Sequence, residues 1–210
     1  MSLLSQRKGS GPLPRLTGKE VLTSPDPEQS KLKGVIFAGR KQFLLDTVGE
    51  ADFNLLIESL SPQAGNALRT PLASSWYDFE TLVEVDRAIH QSLHARQPNI
   101  LALAGAASAE LGVGKVYKSL DSDLLLKFLE TQAAFHRQFQ KFGNVHFEKT
   151  DRGGRMVYTD YPVYSPVYCA SAVGFFLEAI LRHGGKDPEV REATCQTLGD
   201  ATCTFEMNWS

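Results

Sequence analysis

Residues 201–209 alternate between apolar and polar side chains without interruption, and this segment constrains the fold most strongly. Ala, Cys, Phe, Met and Trp occupy the odd positions, and Thr, Thr, Glu and Asn occupy the even ones. A period of two with one polar face is typical of an antiparallel strand that covers a core on one side. Residues 192–197 are the predicted partner strand, and residues 198–200 are the predicted turn. The chain therefore contains a sheet that other elements must cover.

The rest of the sequence is mainly helical, with one further hairpin. Residues 145–150 and 155–161 read as two strands joined by a Gly-rich turn. Apolar residues at a spacing of three and four predict helices over residues 41–48, 52–60, 79–93, 100–111, 122–142 and 166–182. The Ala-rich segment 100–111 suits close packing between helices. Four or five antiparallel strands with segregated helices predict an α+β fold in two layers.

The N-terminal segment and the rest of the chain differ in composition. Residues 1–31 are rich in Pro, Ser and Gly and contain no aromatic residue, which predicts a flexible tail. Residues 34–210 are predicted to form a single α+β domain. We expect the tail to be solvated, or alternatively to dock a partner.

Charge and composition exclude several classes of protein. With 22 basic and 24 acidic residues the formal net charge is -2, which argues against a nucleic-acid partner held by phosphate contacts. No apolar run approaches the ~20 residues of a membrane span. The first residues lack the apolar core of a signal peptide, and three cysteines do not form a disulfide framework. These features predict a cytoplasmic protein.

Two local motifs resemble known binding sites but are incomplete. His90 and His94 share one helix face, as zinc-protease histidines do, yet position 91 is Gln rather than the Glu needed as general base. The segment 111–115 resembles a phosphate-binding loop, but it lacks the hydroxyl residue after Lys115 that would bind magnesium. We interpret the histidines as helix-surface residues and the glycines as a helix stop.

Three cysteines and one histidine form the sharpest metal hypothesis. A three-residue turn at 198–200 would place Cys195 opposite Cys203, and Cys169 on the helix over 166–182 can join them. His146 is the candidate fourth ligand. The alternative is that the cysteines are small buried side chains, as free thiols in a reducing compartment usually are.

Aromatic residues on the two most apolar helices predict a ligand cavity between them. The speculative lining residues are Phe128, Phe135, Phe139, Tyr164, Tyr168, Phe175 and Phe176. Tyrosine offers both area and a polar tip, so the cluster that also includes Tyr158 and Tyr161 suits the mouth of a binding site. The alternative is ordinary core packing, because aromatic stripes at helical spacing usually pack against neighbouring elements.

The order of these elements resembles a known family. Residues 34–37 (GVIF), 135–139 (FHRQF) and 142–144 (FGN), followed by a hairpin, an apolar helix and a cysteine-bearing last strand, resemble a paralogous family of myxobacterial proteins. That family is distantly similar to vinyl-4-reductase domains, haem-nitric-oxide-binding domains and TRAPP subunits. The resemblance covers residues 34–209. It implies helices on one side of a twisted antiparallel sheet, frequent dimerisation, and a cavity for haem or a small hydrophobic molecule.

Site residues do not transfer fully from that resemblance. Haem-binding relatives use a proximal histidine and a Tyr-x-Ser-x-Arg motif, whereas the nearest string here, beginning at Tyr164, is Tyr-Ser-Pro. We therefore expect no haem or other cofactor. Vinyl-reductase-type domains carry cysteines near their end, to which Cys195 and Cys203 are loosely comparable.

Two functional hypotheses from different classes follow. The first is a non-enzymatic interaction module of a bacterial signalling or regulatory complex, with a protein partner and a homodimeric state. The alternative is a sensor domain that binds a small hydrophobic ligand between the two long helices. An enzyme is the least favoured class because no convergent catalytic motif is visible. Its candidate groups are His136, His146, Cys169 and the tyrosine cluster.

Overall fold

The computed structural model describes residues 16–112 and 125–210, and it is a mixed structure of helices and an antiparallel sheet. The helices in this part of the chain are α1 (Val35–Glu58), α2 (Pro62–Arg69), α3 (Phe79–Leu93), α4 (Ile100–Leu111), α5 (Leu125–Phe135) and α6 (Pro166–Arg182). The strands are β1 (Lys31–Lys33), β2 (Trp76–Asp78), β3 (Asn144–Thr150), β4 (Gly153–Thr159), β5 (Glu189–Thr194) and β6 (Cys203–Asn208). β1 and β2 form a small antiparallel pair, and the main sheet has the order β3-β4-β6-β5. The α+β fold with a four-stranded antiparallel sheet is confirmed.

The last strand behaves as its alternation predicts. Cys203, Phe205 and Met207 of β6 are buried, whereas the residues between them are partly exposed. The predicted partner strand over 192–197 is wrong in its bounds, because β5 covers Glu189–Thr194 and has an irregularity between Glu192 and Thr194. Its last pair, Thr194 with Thr204, has the predicted register. Cys195 lies one residue beyond that pair, where it precedes a short 3-10 turn.

Three predicted helices differ from the observed ones. The helices predicted over 41–48 and 52–60 belong to α1, which starts earlier and breaks at Gly49, where φ is 78°. The helix predicted over 122–142 ends at Phe135, and its start at 122 lies outside the described residues. Beyond a 3-10 turn, the backbone at positions 139 and 141 pairs with β1. A helix in that place would leave the donors and acceptors of β1 without partners.

Residues 16–31, the described part of the predicted tail, include several that contact the domain. The backbone N–H of Lys19 donates to Thr197 O at 2.7 Å, and Val21 forms a bridge with Tyr164. Glu20 pairs with Arg87 and accepts a hydrogen bond from the Ser165 hydroxyl. Backbone pairing, polar side chains and the partly buried Leu16 and Leu22 hold this segment against the domain. Residues 1–15 lie outside the described residues.

The apolar core has two parts. One consists mainly of residues from α1 to α4, and the other of residues from α5, α6 and the sheet. α4 and α6 approach closely where they cross: Gly105 lies against the backbone of Ser171, and Gly174 lies against the backbone of Ala102. The small-residue face predicted for α4 thus serves close helix packing. This crossing brings the two core parts together around the cavity described below.

Across residues 16–112 and 125–210, no helix has the length and apolar character needed to cross a membrane.

Candidate functional site: an internal cavity and a cysteine cluster

A cavity of about 410 Å³ lies between the two parts of the core. Its wall combines residues from the start of α1, from α4, from the segment 132–140, from β3 and β4, and from α6. Val35, Ile36, Met156 and Phe176 supply apolar surface. The volume falls within the range of small-molecule sites, and it corresponds to roughly a dozen water-sized groups. The space therefore suits a compact organic molecule.

The structure brings four of the seven predicted cavity residues to this wall. Phe139, Tyr168, Phe175 and Phe176 line the cavity. Phe128 is instead buried in the second core part, where its ring stacks on His183 with centroids 3.9 Å apart.

Two further predicted residues lie elsewhere, and the wall residues that sequence reasoning missed include the charged Arg40. The side chain of Phe135 is 49% exposed, because the helix ends at this residue. Tyr164 lies at a smaller neighbouring pocket and does not line the main cavity. Arg40 was missed, because a lone arginine within a helix reads as a surface residue.

Arg40 contributes a buried guanidinium to the cavity wall. Its Nε and Nη2 donate to the two carboxylate oxygens of Asp86, at 2.6 and 3.1 Å. Its Nη1 donates to Ala104 O at 2.7 Å and to Ser108 Oγ at 2.8 Å. These contacts use four of the five N–H donors of a guanidinium, and one N–H at Nη2 stays available. Asp86 is fully buried and is not part of the described wall.

Tyr158 and Tyr168 line the same cavity. The Tyr168 hydroxyl accepts a hydrogen bond from Gln140 Nε2, and Gln140 Oε1 accepts one from Tyr161 at 2.7 Å. The O–H of Tyr168 therefore stays available as a donor, and the Tyr158 hydroxyl has no partner among the described residues. Burial, followed by the neighbouring Tyr168, raises the pKa of Tyr158 well above its usual value. Burial likewise raises the pKa of Tyr168, so both phenols stay protonated at neutral pH.

His136 is the histidine that lines the cavity, and both of its ring nitrogens contact the backbone. Nδ1 lies 3.2 Å from Ala133 O and Nε2 lies 3.0 Å from Gly143 O. These contacts fasten the turn that follows α5. The imidazole therefore braces the backbone of the wall.

A second feature, the cysteine cluster, lies next to the cavity and consists of Cys169, Glu192, Cys195 and Cys203. One ligand atom from each residue lies within 4.8 Å of every other. The Cys169 Sγ lies 3.9 Å from Cys195 Sγ and 4.0 Å from Cys203 Sγ. Two sulfur ligands at ~2.3 Å from a tetrahedral zinc ion lie about 3.8 Å apart. The sulfur positions therefore match a tetrahedral metal centre.

The residues of this cluster come from four parts of the fold. Cys169 lies in the first turn of α6, Glu192 lies on β5, Cys195 precedes the 3-10 turn and Cys203 begins β6. The backbone N–H of Cys195 donates to the Asp200 side chain at 2.8 Å, which holds the turn in place. The irregularity that ends β5 thus brings Cys195 to the cluster.

The thiols of the cluster differ in acidity. The neighbouring Cys169 and Cys203 thiols lower the pKa of Cys195, because both can donate to its thiolate. The Cys195 and Cys203 partners and burial raise the pKa of Cys169 well above its usual value. For Cys203, the Cys169 thiol lowers the pKa, but the Cys195 interaction and burial outweigh it and raise the pKa to about 12. Cys195 is therefore the thiol of the cluster that loses its proton first as pH rises.

The predicted histidine ligands lie away from the cluster. His146 is exposed on β3, and its Nε2 lies 3.5 Å from a Glu148 oxygen. His90 and His94 stack with ring centroids 4.5 Å apart, and they belong to no group of metal ligands among the described residues. Glu192 takes the place that His146 was expected to fill. No sequence signal marked Glu192, because side chains three residues apart lie on opposite faces of a regular strand, and the irregularity between Glu192 and Thr194 changes that alternation.

Solved structures of low sequence identity share this architecture. No family model matches the sequence, and no curated protein matches it. An H-NOX protein from S. oneidensis in the Fe(II)NO state aligns with a TM-score of 0.65 and 16% identity, over 85% of this chain and 99% of that chain. An oxygen-binding H-NOX domain related to soluble guanylate cyclases gives 0.63 and 14%, over 85% and 95%. The unliganded H-NOX protein from K. algicida gives 0.60 and 13%, over 85% and 97%. The expected likeness to haem-nitric-oxide-binding domains is thus confirmed at the level of architecture, and the chain has the fold of H-NOX domains.

Proposed function

We propose that this protein is a sensor domain that binds a small, mainly apolar molecule in the internal cavity. The observation that carries the proposal is the cavity itself, about 410 Å³ between two otherwise buried cores. The cavity is partly open to solvent, so a ligand can enter it, and its volume is within the range of small-molecule sites. The wall has the mixture typical of ligand sites, which is mostly apolar surface with a few placed polar groups.

The residues present do not fit a haem, although the similar solved structures include an H-NOX protein in an Fe(II)NO state and an oxygen-binding H-NOX domain. All five histidines lie within the described residues, and His136, the one on the cavity wall, has both ring nitrogens against backbone carbonyls. Among the described wall residues there is no cysteine, and the wall tyrosines Tyr158 and Tyr168 stay protonated. The usual axial ligands are therefore not offered. The ligand we propose is an organic molecule without a metal.

A titration with a neutral compound of matching size tests the sensor proposal. Naphthalene-2-methanol should bind the full chain saturably with one site, as measured by calorimetry. Ala172 lines the cavity, so Ala172→Trp should fill part of the space and abolish binding. Ala51 is an exposed residue of the same type, and Ala51→Trp should bind like the parent protein. Absence of binding to the parent protein, or unchanged binding to Ala172→Trp, would contradict the proposal.

We propose further that the cysteine cluster binds zinc in a structural role. Three thiols and a carboxylate supply a complete tetrahedral ligand set with no open position, as in structural rather than catalytic zinc sites. A bound zinc ion would tie α6 to β5 and β6, and its charge would deprotonate the thiols. Metal analysis of the purified protein should give one zinc per chain. Protein purified with zinc in the medium but containing none would contradict this role.

Other sequence-based expectations have less support. Four large apolar side chains are exposed among the described residues, and they lie apart along the chain: Leu55, Leu72, Phe135 and Leu198. Five expectations stay predictions: a protein partner, a homodimer, membership of the myxobacterial family, a cytoplasmic location and the single-domain division at residues 34–210. We favour the sensor over the interaction module because the cavity is a specific structural feature.

A further inference from the structure

We infer that the ligand of the cavity is an apolar organic acid, and that Tyr158, Tyr168 and Arg40 recognise its carboxylate. This inference rests on the proposed sensor function and names its ligand class. The three residues line one cavity and each presents a polar hydrogen that is not already used by the protein.

The polar groups of the wall are strongly biased towards donors. Among the described wall residues none is acidic, whereas Lys33 and Arg40 carry positive charge. The Gln140 carbonyl oxygen is already used by Tyr161. A ligand with hydrogen-bond acceptors can therefore pair with the donors of the wall. A cationic ligand instead meets like charge and finds no carboxylate on the described wall.

The arrangement of Arg40 and Asp86 directs positive potential to the cavity. Asp86 pairs with the guanidinium but does not belong to the described wall. Arg40 is therefore the member of the ion pair that lines the cavity. Hydrogen bonds to an ionised acceptor are shorter and stronger than neutral ones. The remaining N–H at Nη2 and the two phenol O–H groups suit the several lone pairs of a carboxylate.

Lys33 adds a second, weaker source of positive charge. Its Nζ donates to Ser74 O at 2.6 Å and lies 4.0 Å from the centroid of the Trp76 ring, and no carboxylate pairs with it in the described part of the chain. Lys33 is partly exposed, so solvent and salt screen its charge. We therefore assign the recognition to the two tyrosines and Arg40, and to Lys33 only a general attraction of anions.

A matched series of ligands tests the inference on the full, unmodified chain. Naphthalene-2-carboxylate, naphthalene-2-methanol and naphthalene-2-methylamine share one ring system and differ in their polar group. At neutral pH the carboxylate should bind at least tenfold more tightly than the alcohol, and the amine should bind most weakly. If all three bind equally, or if the amine binds best, the acid preference is overturned while the sensor function stands. If none of them binds, the sensor function itself fails.

Conservative variants then locate the recognition. Tyr158→Phe and Tyr168→Phe keep the rings and remove one donor each, so each should weaken carboxylate binding about tenfold and alcohol binding less. Tyr164→Phe is the matched control, since Tyr164 does not line this cavity, and it should leave all affinities unchanged. If both variants keep the full acid preference and Lys33→Met removes it, the assignment to Tyr158, Tyr168 and Arg40 is wrong. Near-ultraviolet circular dichroism checks that each variant is folded.

Discussion

Gly105 of α4 lies against the backbone of Ser171 in α6, so closely that a Cβ on Gly105 would overlap the Ser171 carbonyl oxygen. The relationship is reciprocal one turn of each helix away, because a Cβ on Gly174 would overlap the carbonyl oxygen of Ala102. Neither glycine has a positive φ, so what requires glycine here is space and not backbone conformation. This crossing also sets the cavity, since Gly105 and Ser171 both line it.

Substitution of either glycine at this helix crossing should lower the free energy of unfolding. Gly105→Ala and Gly174→Ala each force the two helix backbones apart, and overpacking of this kind typically costs about 1–3 kcal/mol. Urea denaturation should show a lower midpoint for both variants. Gly112→Ala is the control, because no described atom lies within 4 Å of its added Cβ, and it should be neutral or slightly stabilising. Equal stability of the parent protein and Gly105→Ala would contradict the packing described here.

The buried pair of Arg40 and Asp86 should show strong energetic coupling. Removing one partner by Asp86→Leu leaves a buried guanidinium without its carboxylate, which typically costs about 3–5 kcal/mol. The double variant Arg40→Met with Asp86→Leu removes both charges, and it should recover much of that loss. Recovery should be incomplete, since Arg40 also donates to Ala104 O and Ser108 Oγ. A double-mutant cycle measured by chemical denaturation gives the coupling, and additive effects would contradict it.

Zinc binding should release protons and therefore strengthen as pH rises. The pKa of Cys195 is lowered by its neighbouring thiols, but those of Cys169 and Cys203 are raised, so without metal the latter two carry protons near pH 7. Zinc requires thiolates and should displace about two protons per ion. Calorimetry of zinc binding in buffers of different ionisation enthalpy measures this number.

Variants of the cluster provide the control for that measurement. Cys195→Ser should lower zinc affinity and the melting temperature of the zinc-loaded protein, whereas His146→Ala should change neither, because His146 lies outside the cluster. An unchanged zinc affinity in Cys195→Ser would show that the metal binds elsewhere.

His183 should make stability depend on pH. Burial lowers the pKa of His183 below its ordinary 6.5, against a smaller opposing effect of its hydrogen bond to Ala179 O. The unfolded chain then binds the proton more readily than the folded one. The contribution of neutral His183 is fully present above pH 6.5, is lost as pH falls below that value, and levels off below the folded pKa.

Urea midpoints between pH 5 and 8 test this dependence. His183→Phe preserves the aromatic contact with Phe128 and cannot take up a proton, so its stability should fall less on acidification. His146→Phe, at an exposed position on β3, should retain the pH dependence of the parent protein. Identical pH profiles for the parent protein and His183→Phe would assign the effect to other groups.

Local patterns in the sequence determined those helices and strands whose secondary structure depends on their own residues. The alternation over residues 201–209 specifies a half-buried strand, because every second side chain enters the core. The spacing of apolar residues in α3 and the small side chains of α4 likewise specify amphipathic and closely packed helices. The α+β class follows from these elements, because a one-sided sheet has to be covered by helices.

Only the tertiary structure decided the sites, because both depend on contacts between distant residues. Cys169 and Cys203 are 34 residues apart, and the cluster needs the irregular end of β5 to turn Cys195 towards them. The role of Arg40 depends on Asp86, which lies 46 residues away in the sequence. The Asp86 carboxylate compensates the desolvation cost of burying the Arg40 guanidinium. Phe128 and Phe135 show the same limit: helical spacing identifies apolar positions, but whether a ring enters the core, a cavity or solvent depends on what packs opposite.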